Sequence, residues 1–166
     1  MQRNANSQQH QDEVAQAESR ERRKADELVS RLNSTGYNVV GNWSATGSYA
    51  RIDGTLTFGN GKVYQTELKV RNGLSTQYDT GMLEVSKLNA MRRLIAQGQE
   101  VAYVFIFDDQ ALFWPVHALL KHIDSGRIET TSFNNLPNTS YGRNRDRVAK
   151  QVVLLPTSMA KKVAMR

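Results

Sequence analysis

The 166-residue sequence contains no cysteine and only three histidines and three prolines. The absence of cysteine excludes disulfides, thiolate metal centres and thiol nucleophiles, and three scattered histidines do not suggest a histidine metal cage. The longest apolar run, residues 101–107, is far shorter than a membrane span, and no signal-peptide pattern opens the chain. We therefore expect a cytoplasmic protein that does not enter a membrane.

Acidic side chains are scarce at one end of the chain only. The sequence has 22 basic and 16 acidic residues and a formal net charge of +6. Residues 141–166 hold seven basic residues and one acidic residue, so this segment accounts for the whole excess. A basic segment favours a polyanionic partner such as nucleic acid, although a solvated basic tail is the alternative interpretation.

The hydrophobic spacing predicts one α/β domain with the element order α-β-β-β-α-β-β plus a C-terminal extension. Residues 1–11 are polar and expected to be disordered or frayed, residues 12–116 form the core, and residues 117–166 form a basic extension packed on the same domain. The core elements are helices over 12–34 and 82–97 and strands over 37–43, 51–58, 63–71, 101–107 and 111–116. The extension is predicted to contain a short helix near 117–123, a polar loop to residue 141, a strand over 151–155 and a last helix after Pro156.

The segment Gly59-Asn60-Gly61 joins two strands and allows two registers. A two-residue turn pairs residues whose numbers add up to 121, whereas a three-residue loop with a left-handed Gly61 gives 120. Only the second register collects the apolar residues of both strands on one face, because it keeps even numbers opposite even numbers. This register predicts that Asp53 lies directly across from Glu67, with Lys69 further along the same face.

Two carboxylates directly opposite each other repel, so this face favours a bound cation. Mg²⁺ (or Mn²⁺) prefers one or two carboxylates together with waters and substrate phosphate, which suits Asp53, Glu67 and the backbone carbonyl of Leu68. Such an ion would polarise a phosphodiester and lower the pKa of a bound water, while Lys69 orients that water and offsets charge on the phosphate. The alternative is a solvent-exposed strand face that carries these charges without a function.

The pair Ile52-Asp53, followed after the hairpin by Glu67-Leu68-Lys69, resembles the signature of the PD-(D/E)XK nuclease superfamily. The basic stretch 19–24 and the helix end and strand that follow it resemble the archaeal-type Holliday junction resolvases. The resemblance covers about residues 20–116. It implies a restriction-endonuclease-like mixed central sheet flanked by helices, in which Asp53, Glu67 and Lys69 are the catalytic residues.

Two positions depart from the family pattern. Ile52 stands where the superfamily usually has proline, and Ala25 stands where the resolvases carry a glutamate beside the metal. Glu21 lies one helical turn before Ala25 on the same face and is a candidate replacement for that metal ligand. A solvated helix charge is the alternative role for Glu21.

Several basic and polar side chains are candidates for contacts with nucleic acid. They lie near the hairpin, on the second predicted helix and in the extension: Ser44, Arg71, Lys87, Arg143, Arg145, Arg147 and Lys150. Arginine binds phosphate bidentately, and arginine and asparagine mixed with an aromatic residue suit backbone contacts without sequence readout. A solvated lysine, an ordinary turn and a solvated tail are the respective alternatives for Lys87, Ser44 and the extension.

These observations together predict a Mg²⁺-dependent endonuclease that hydrolyses phosphodiester bonds in DNA, with branched DNA as one candidate substrate. A resolvase cuts two strands symmetrically, so this version predicts a homodimer. Because the core is neutral, the basic extension is expected to supply most of the affinity for DNA. Two alternatives stay open: a non-catalytic DNA-binding or virion-associated protein on a nuclease scaffold, and a nuclease that acts on RNA.

Overall fold

The computed structural model describes residues 2–44, 52–137 and 147–166. Within these ranges there are three α-helices: α1 (Gln2–Ser34), α2 (Val85–Ala96) and α3 (Val116–Asp124). The strands are β1 (Val39–Trp43), β2 (Gly54–Phe58), β3 (Val63–Val70), β4 (Thr80–Glu84), β5 (Glu100–Ile106), β6 (Gln110–Pro115), β7 (Thr130–Pro137), β8 (Arg147–Pro156) and β9 (Lys161–Ala164). Two short 3-10 turns, Ser75–Gln77 and Thr157–Met159, precede β4 and β9.

The strands form two sheets. Six strands lie side by side in the order β1-β2-β3-β5-β6-β9, in which β3 and β5 run parallel and the other neighbours antiparallel. Strands β4, β8 and β7 form a smaller antiparallel sheet in that order. The α/β class predicted from the sequence is confirmed, but the predicted element order lacks β4. This strand replaces the end of a predicted loop and the first residues of the second predicted helix.

Helix α1 begins at Gln2, so residues 2–11 are helical rather than disordered or frayed as expected. They contain neither glycine nor proline, and the Gln8 side chain donates a hydrogen bond to Asp12 one turn later (3.1 Å), so nothing in this stretch ends the helix. The predicted C-terminal end is confirmed, because α1 ends at Ser34 and Gly36 follows with a left-handed φ of 92°. Although α1 has 33 residues, no helix of the described ranges is long and apolar enough to cross a membrane.

Both faces of the six-stranded sheet are covered. Helix α1 packs on the first face, where Leu28 meets Leu56 and Leu68 in a buried cluster. Helices α2 and α3 and the smaller sheet cover the second face around Phe105 and Trp114. Because strand side chains alternate between faces, even-numbered residues of β3 point to α1 and odd-numbered residues point to the second face.

The C-terminal extension contributes strands to both sheets. Strand β8 pairs with β4, and β9 pairs with the outer edge of β6. The last helix predicted after Pro156 is wrong, because the chain makes one 3-10 turn there and continues as β9. The loop predicted up to residue 141 contains β7, and β8 is longer than the strand predicted over 151–155. A strand that depends on a distant partner leaves only a weak local signal, which explains these errors.

The extension is therefore not a separable tail. Val153, Leu155 and Met165 are each at most 1% exposed. The Trp114 indole N–H also donates a hydrogen bond to the carbonyl of Pro156 (3.0 Å). Deleting the segment would expose the core on both faces of the large sheet, so its basic residues have to be tested by single substitutions.

Candidate active site

The hairpin between β2 and β3 has the register predicted from the sequence. Thr55 pairs with Gln65 and Leu56 with Tyr64, so paired numbers add up to 120. Gly61 has a φ of 85°, which any other residue would adopt only with strain. This confirmed register places Asp53 and Glu67 at the same end of the two strands.

Asp53 comes directly before β2. Its carboxylate accepts a hydrogen bond from β3 that a main-chain carbonyl would accept if β2 were longer. The Leu68 N–H donates to Asp53 Oδ2 at 2.7 Å, at the position where a longer β2 would have paired with β3. In an antiparallel pair, one residue turns both its N–H and its C=O toward the same partner. The Leu68 carbonyl therefore points to the same side as the Asp53 carboxylate, as a metal ligand would need to.

The main chain around Asp53 is held by β1. The Ser44 N–H donates to the Asp53 carbonyl at 2.7 Å, and the Ser44 hydroxyl donates to the Ile52 carbonyl at 3.2 Å. A Cβ on Gly54 would clash with the Asn42 carbonyl oxygen, so only glycine allows β1 and β2 to approach this closely. Ser44 thus positions Asp53, while its contact with nucleic acid stays a prediction.

Glu67 is buried on the second face of the sheet, with 2% of its side chain exposed. Its Oε1 lies 3.4 Å from the Lys69 ammonium and also accepts a hydrogen bond from the Lys87 ammonium. Burial raises the pKa of Glu67; Lys69 opposes this, the Asp53 carboxylate adds to it, and Lys87 opposes it. The net pKa of Glu67 lies above the ordinary value despite the two lysines, so a further cation near this carboxylate would be favourable.

Lys87 reaches the site because β4 and α2 lie over the second face. It is in the first turn of α2, and 38% of its side chain is exposed although its ammonium contacts Glu67. The sequence placed Lys87 on the second helix as a possible phosphate contact beside the metal. The structure brings it to the same carboxylate as Lys69, and its contact with phosphate stays a prediction.

Two further residues at this site were missed by the sequence reasoning. The Tyr103 hydroxyl donates to the Met82 carbonyl at 2.8 Å, and burial raises the Tyr103 pKa far above its usual range. Glu84, the last residue of β4, accepts a hydrogen bond from the Lys150 ammonium at 2.8 Å. The second contact depends on the pairing of β4 with β8, which no short sequence window could reveal.

The remaining candidates for nucleic-acid contacts are spread over the molecule. The Arg71 guanidinium lies 4.8 Å from the centre of the Phe105 ring, directly after β3 and beside the site. Arg147 donates to the Asn135 carbonyl at 3.0 Å, on the pair of strands β7 and β8. Arg143 and Arg145 lie outside the described residues. The binding roles of these four arginines stay predictions.

The donor set at the site suits a hard divalent cation with bound waters. Two carboxylates, Asp53 and Glu67, and the Leu68 carbonyl match the ligands that Mg²⁺ takes in proteins. In the part of the chain that the structure describes, no three histidine or carboxylate side chains are grouped so as to hold a metal. Glu21, half-buried on α1, does not complete such a group, and its part as a ligand stays a prediction.

No family model matches the sequence, and no curated protein matches it. Among solved structures, the chain is similar to Hjc, a Holliday junction resolvase from the archaeal hyperthermophile Archaeoglobus fulgidus. The sequence identity is 16% and the TM-score is 0.42, and the alignment covers 81% of this chain and 93% of that chain. A likeness of this size assigns no activity to the chain.

Proposed function

We propose that the chain is a metal-dependent endonuclease that hydrolyses phosphodiester bonds in DNA. The observation that carries this proposal is the hydrogen bond from Leu68 N–H to Asp53, which holds one carboxylate beside the buried Glu67 and Lys69. Burying a carboxylate is costly unless it is paired, and such costs are concentrated at functional sites. Two carboxylates that can hold a divalent ion, with an ammonium beside them, suit metal-assisted phosphodiester hydrolysis.

Each residue of the cluster has a role in this proposal. Asp53, Glu67 and the Leu68 carbonyl would hold Mg²⁺ or Mn²⁺. When bound, the ion supplies Lewis-acid polarisation of the phosphate and lowers the pKa of a bound water. Lys69 orients that water and stabilises the negative charge that develops on the phosphate.

The basic residues around the cluster would bind the DNA backbone. Lys87 and Arg71 lie at the site itself, and Lys150 lies on the neighbouring β8 strand. Such contacts are electrostatic and independent of base sequence, so the affinity should fall steeply with salt concentration. Cleavage of branched DNA is the more specific version of the proposal, and it requires a homodimer because two strands are cut.

Cleavage assays test the proposal. Linear, circular, branched and single-stranded DNA are incubated with the protein with and without Mg²⁺. We expect Asp53→Asn and Glu67→Gln to abolish Mg²⁺-dependent cleavage of whichever substrate the wild type cuts, with the circular dichroism spectrum and DNA binding retained. Asp26→Asn, the same change at an exposed position of α1, is the control. Cleavage by either site variant would overturn the assignment of the metal ligands.

Calorimetric titration with Mn²⁺ separates this proposal from a non-catalytic DNA-binding or virion-associated protein. An enzyme binds the ion, and Asp53→Asn abolishes that binding. DNA binding without any metal binding would support the non-catalytic alternative. For the branched-DNA version, light scattering with junction DNA is expected to detect two protein chains per complex, and a strictly monomeric complex would contradict it.

A further inference from the structure

Helix α1 carries an arginine on the side that packs on the large sheet. Ala25, Leu28 and Leu32 mark this side, since they are 0%, 1% and 6% exposed, whereas none of residues 7–24 is buried. Arg22 lies three residues before Ala25, which places both on the same side of the helix, and it is half-buried. The packed side of α1 therefore continues beyond the apolar core with a charged side chain.

The Arg22 side chain reaches the main chain beside the candidate active site. Its Nη2 donates a hydrogen bond to the carbonyl of Ser44, the residue directly after β1. The Ser44 N–H in turn donates to the Asp53 carbonyl at 2.7 Å, and the Ser44 hydroxyl donates to the Ile52 carbonyl at 3.2 Å. Arg22 and Asp53 are therefore connected through a single residue, Ser44.

A second arginine of α1 makes a contact beside the other strand of the site. The Arg20 Nη2 donates to Oδ1 of Asn72, which lies two residues after the end of β3. This contact is exposed, whereas the contact between Arg22 and Ser44 is partly buried. A hydrogen bond from a charged donor is stronger where water is partly excluded. Of the two arginines, Arg22 is therefore the one expected to hold the main chain in place.

We propose that Arg22 is a positioning residue, which fixes Ser44 and thereby holds the carboxylate of Asp53 in place. The Leu68 N–H donates to Asp53 Oδ2 at 2.7 Å, and this bond requires the Asp53 main chain to stay beside β3. Ser44 holds that main chain, and the rigid, permanently charged guanidinium of Arg22 holds Ser44. A consequence for metal binding rests on the proposed function, whereas the hydrogen bond from Leu68 to Asp53 is present without a metal.

Two other roles of Arg22 lead to different expectations. A direct contact with a DNA phosphate would leave the position of Asp53 unchanged when Arg22 is replaced. A simple charge effect would change metal affinity in the opposite direction, because removing a positive charge near a cation site favours the cation. A misplaced Asp53 carboxylate weakens metal binding instead. The sign of the change in metal affinity therefore separates positioning from electrostatics.

Hydrogen exchange of the Leu68 amide, followed by NMR, tests the proposal without a metal. We expect Arg22→Met to speed this exchange by about tenfold, because Asp53 loses its fixed position, and Arg22→Lys to retain most of the protection. Arg23→Met, which removes a charge from the exposed neighbouring position, is the control and should exchange like the wild type. The amide of Leu56, in the middle of β2, reports opening of the whole domain. Unchanged exchange at Leu68, or an equal change at Leu56, would overturn the proposal.

Calorimetric titration with Mn²⁺ tests the consequence for the candidate metal site. We expect Arg22→Met to bind Mn²⁺ at least about tenfold more weakly than the wild type, and Arg22→Lys and Arg23→Met to bind it like the wild type. Equal or tighter binding by Arg22→Met would contradict the positioning role, as would a loss of DNA affinity alone. If the wild type binds no Mn²⁺, the proposed function fails, and the exchange of the Leu68 amide still decides the role of Arg22.

Discussion

Among the described residues, both faces of the large sheet bury an apolar cluster, but the second face also buries the carboxylate of Glu67. On β3, Leu68 turns its side chain to α1 and is 1% exposed among apolar neighbours, whereas Glu67 turns to the second face and is 2% exposed beside Lys69 and Lys87. Burial is favourable for the leucine and unfavourable for the carboxylate, whose pKa it raises. Equal burial therefore stabilises the fold at Leu68 and costs stability at Glu67, as expected where a site is kept for its chemistry.

The largest effect on stability is expected on the α1 face. Leu56→Ala removes a fully buried side chain from β2 and should lower the free energy of unfolding by about 2–5 kcal/mol. Thr57→Ala changes the next residue, which is exposed on the opposite face, and should cost no more than about 0.5 kcal/mol. Urea unfolding measures both, and equal losses would contradict the assignment of Leu56 to a packed core.

A smaller loss of stability is expected at Gly54, where β1 and β2 approach each other closely. Gly54→Ala places a Cβ against the Asn42 carbonyl and should cost about 1–3 kcal/mol, because β1 and β2 must move apart. The same shift displaces Asp53, so affinity for Mn²⁺ should fall as well. Gly59→Ala is the control, since the atoms nearest to a Cβ there belong to the Asn38 side chain and not to the main chain of a neighbouring strand. If Gly54→Ala has the stability and metal affinity of the wild type, Gly54 is not needed to position Asp53.

The smallest effect is expected at Glu67, where a substitution should raise the stability of the protein instead of lowering it. Because the folded-state pKa of Glu67 is raised above 4.5, the stability associated with this group is fully present below that pH and is lost as pH rises through the raised pKa. Glu67→Gln removes this loss, so without metal its melting temperature should exceed that of the wild type at neutral pH. Each kcal/mol corresponds to roughly 2–4 °C for a domain of this size.

Thermal melts in the presence of a chelator test this prediction across the acid range. The difference between Glu67→Gln and the wild type should shrink as pH falls and vanish below 4.5, where the carboxyl becomes protonated in both the folded and the unfolded state. A variant that is less stable than the wild type at neutral pH would mean that the two lysines more than compensate the burial of Glu67. Burial would then be favourable at Glu67 as well as at Leu68.

The local parts of the site were predictable from the sequence. Gly61 allows the left-handed backbone of a three-residue loop, and this loop length fixes the register of β2 and β3. That register brings Asp53 and Glu67 together. The burial of Glu67 was not predictable, because it depends on α2 and the smaller sheet, which cover a face that the alternating pattern suggests is open to solvent. The contact between Lys150 and Glu84 likewise joins residues 66 positions apart.

By itself, the sequence determined the α/β class, the end of α1 at Ser34 and the pairing of β2 with β3. Each follows from interactions between residues close in the chain, where turn geometry and side-chain spacing decide. Only the tertiary structure decided that the basic extension contributes strands to both sheets and that Lys87 meets Glu67. These features depend on strand pairing and helix packing between segments that are far apart in the chain. Such contacts have no reliable signal in a short stretch of sequence.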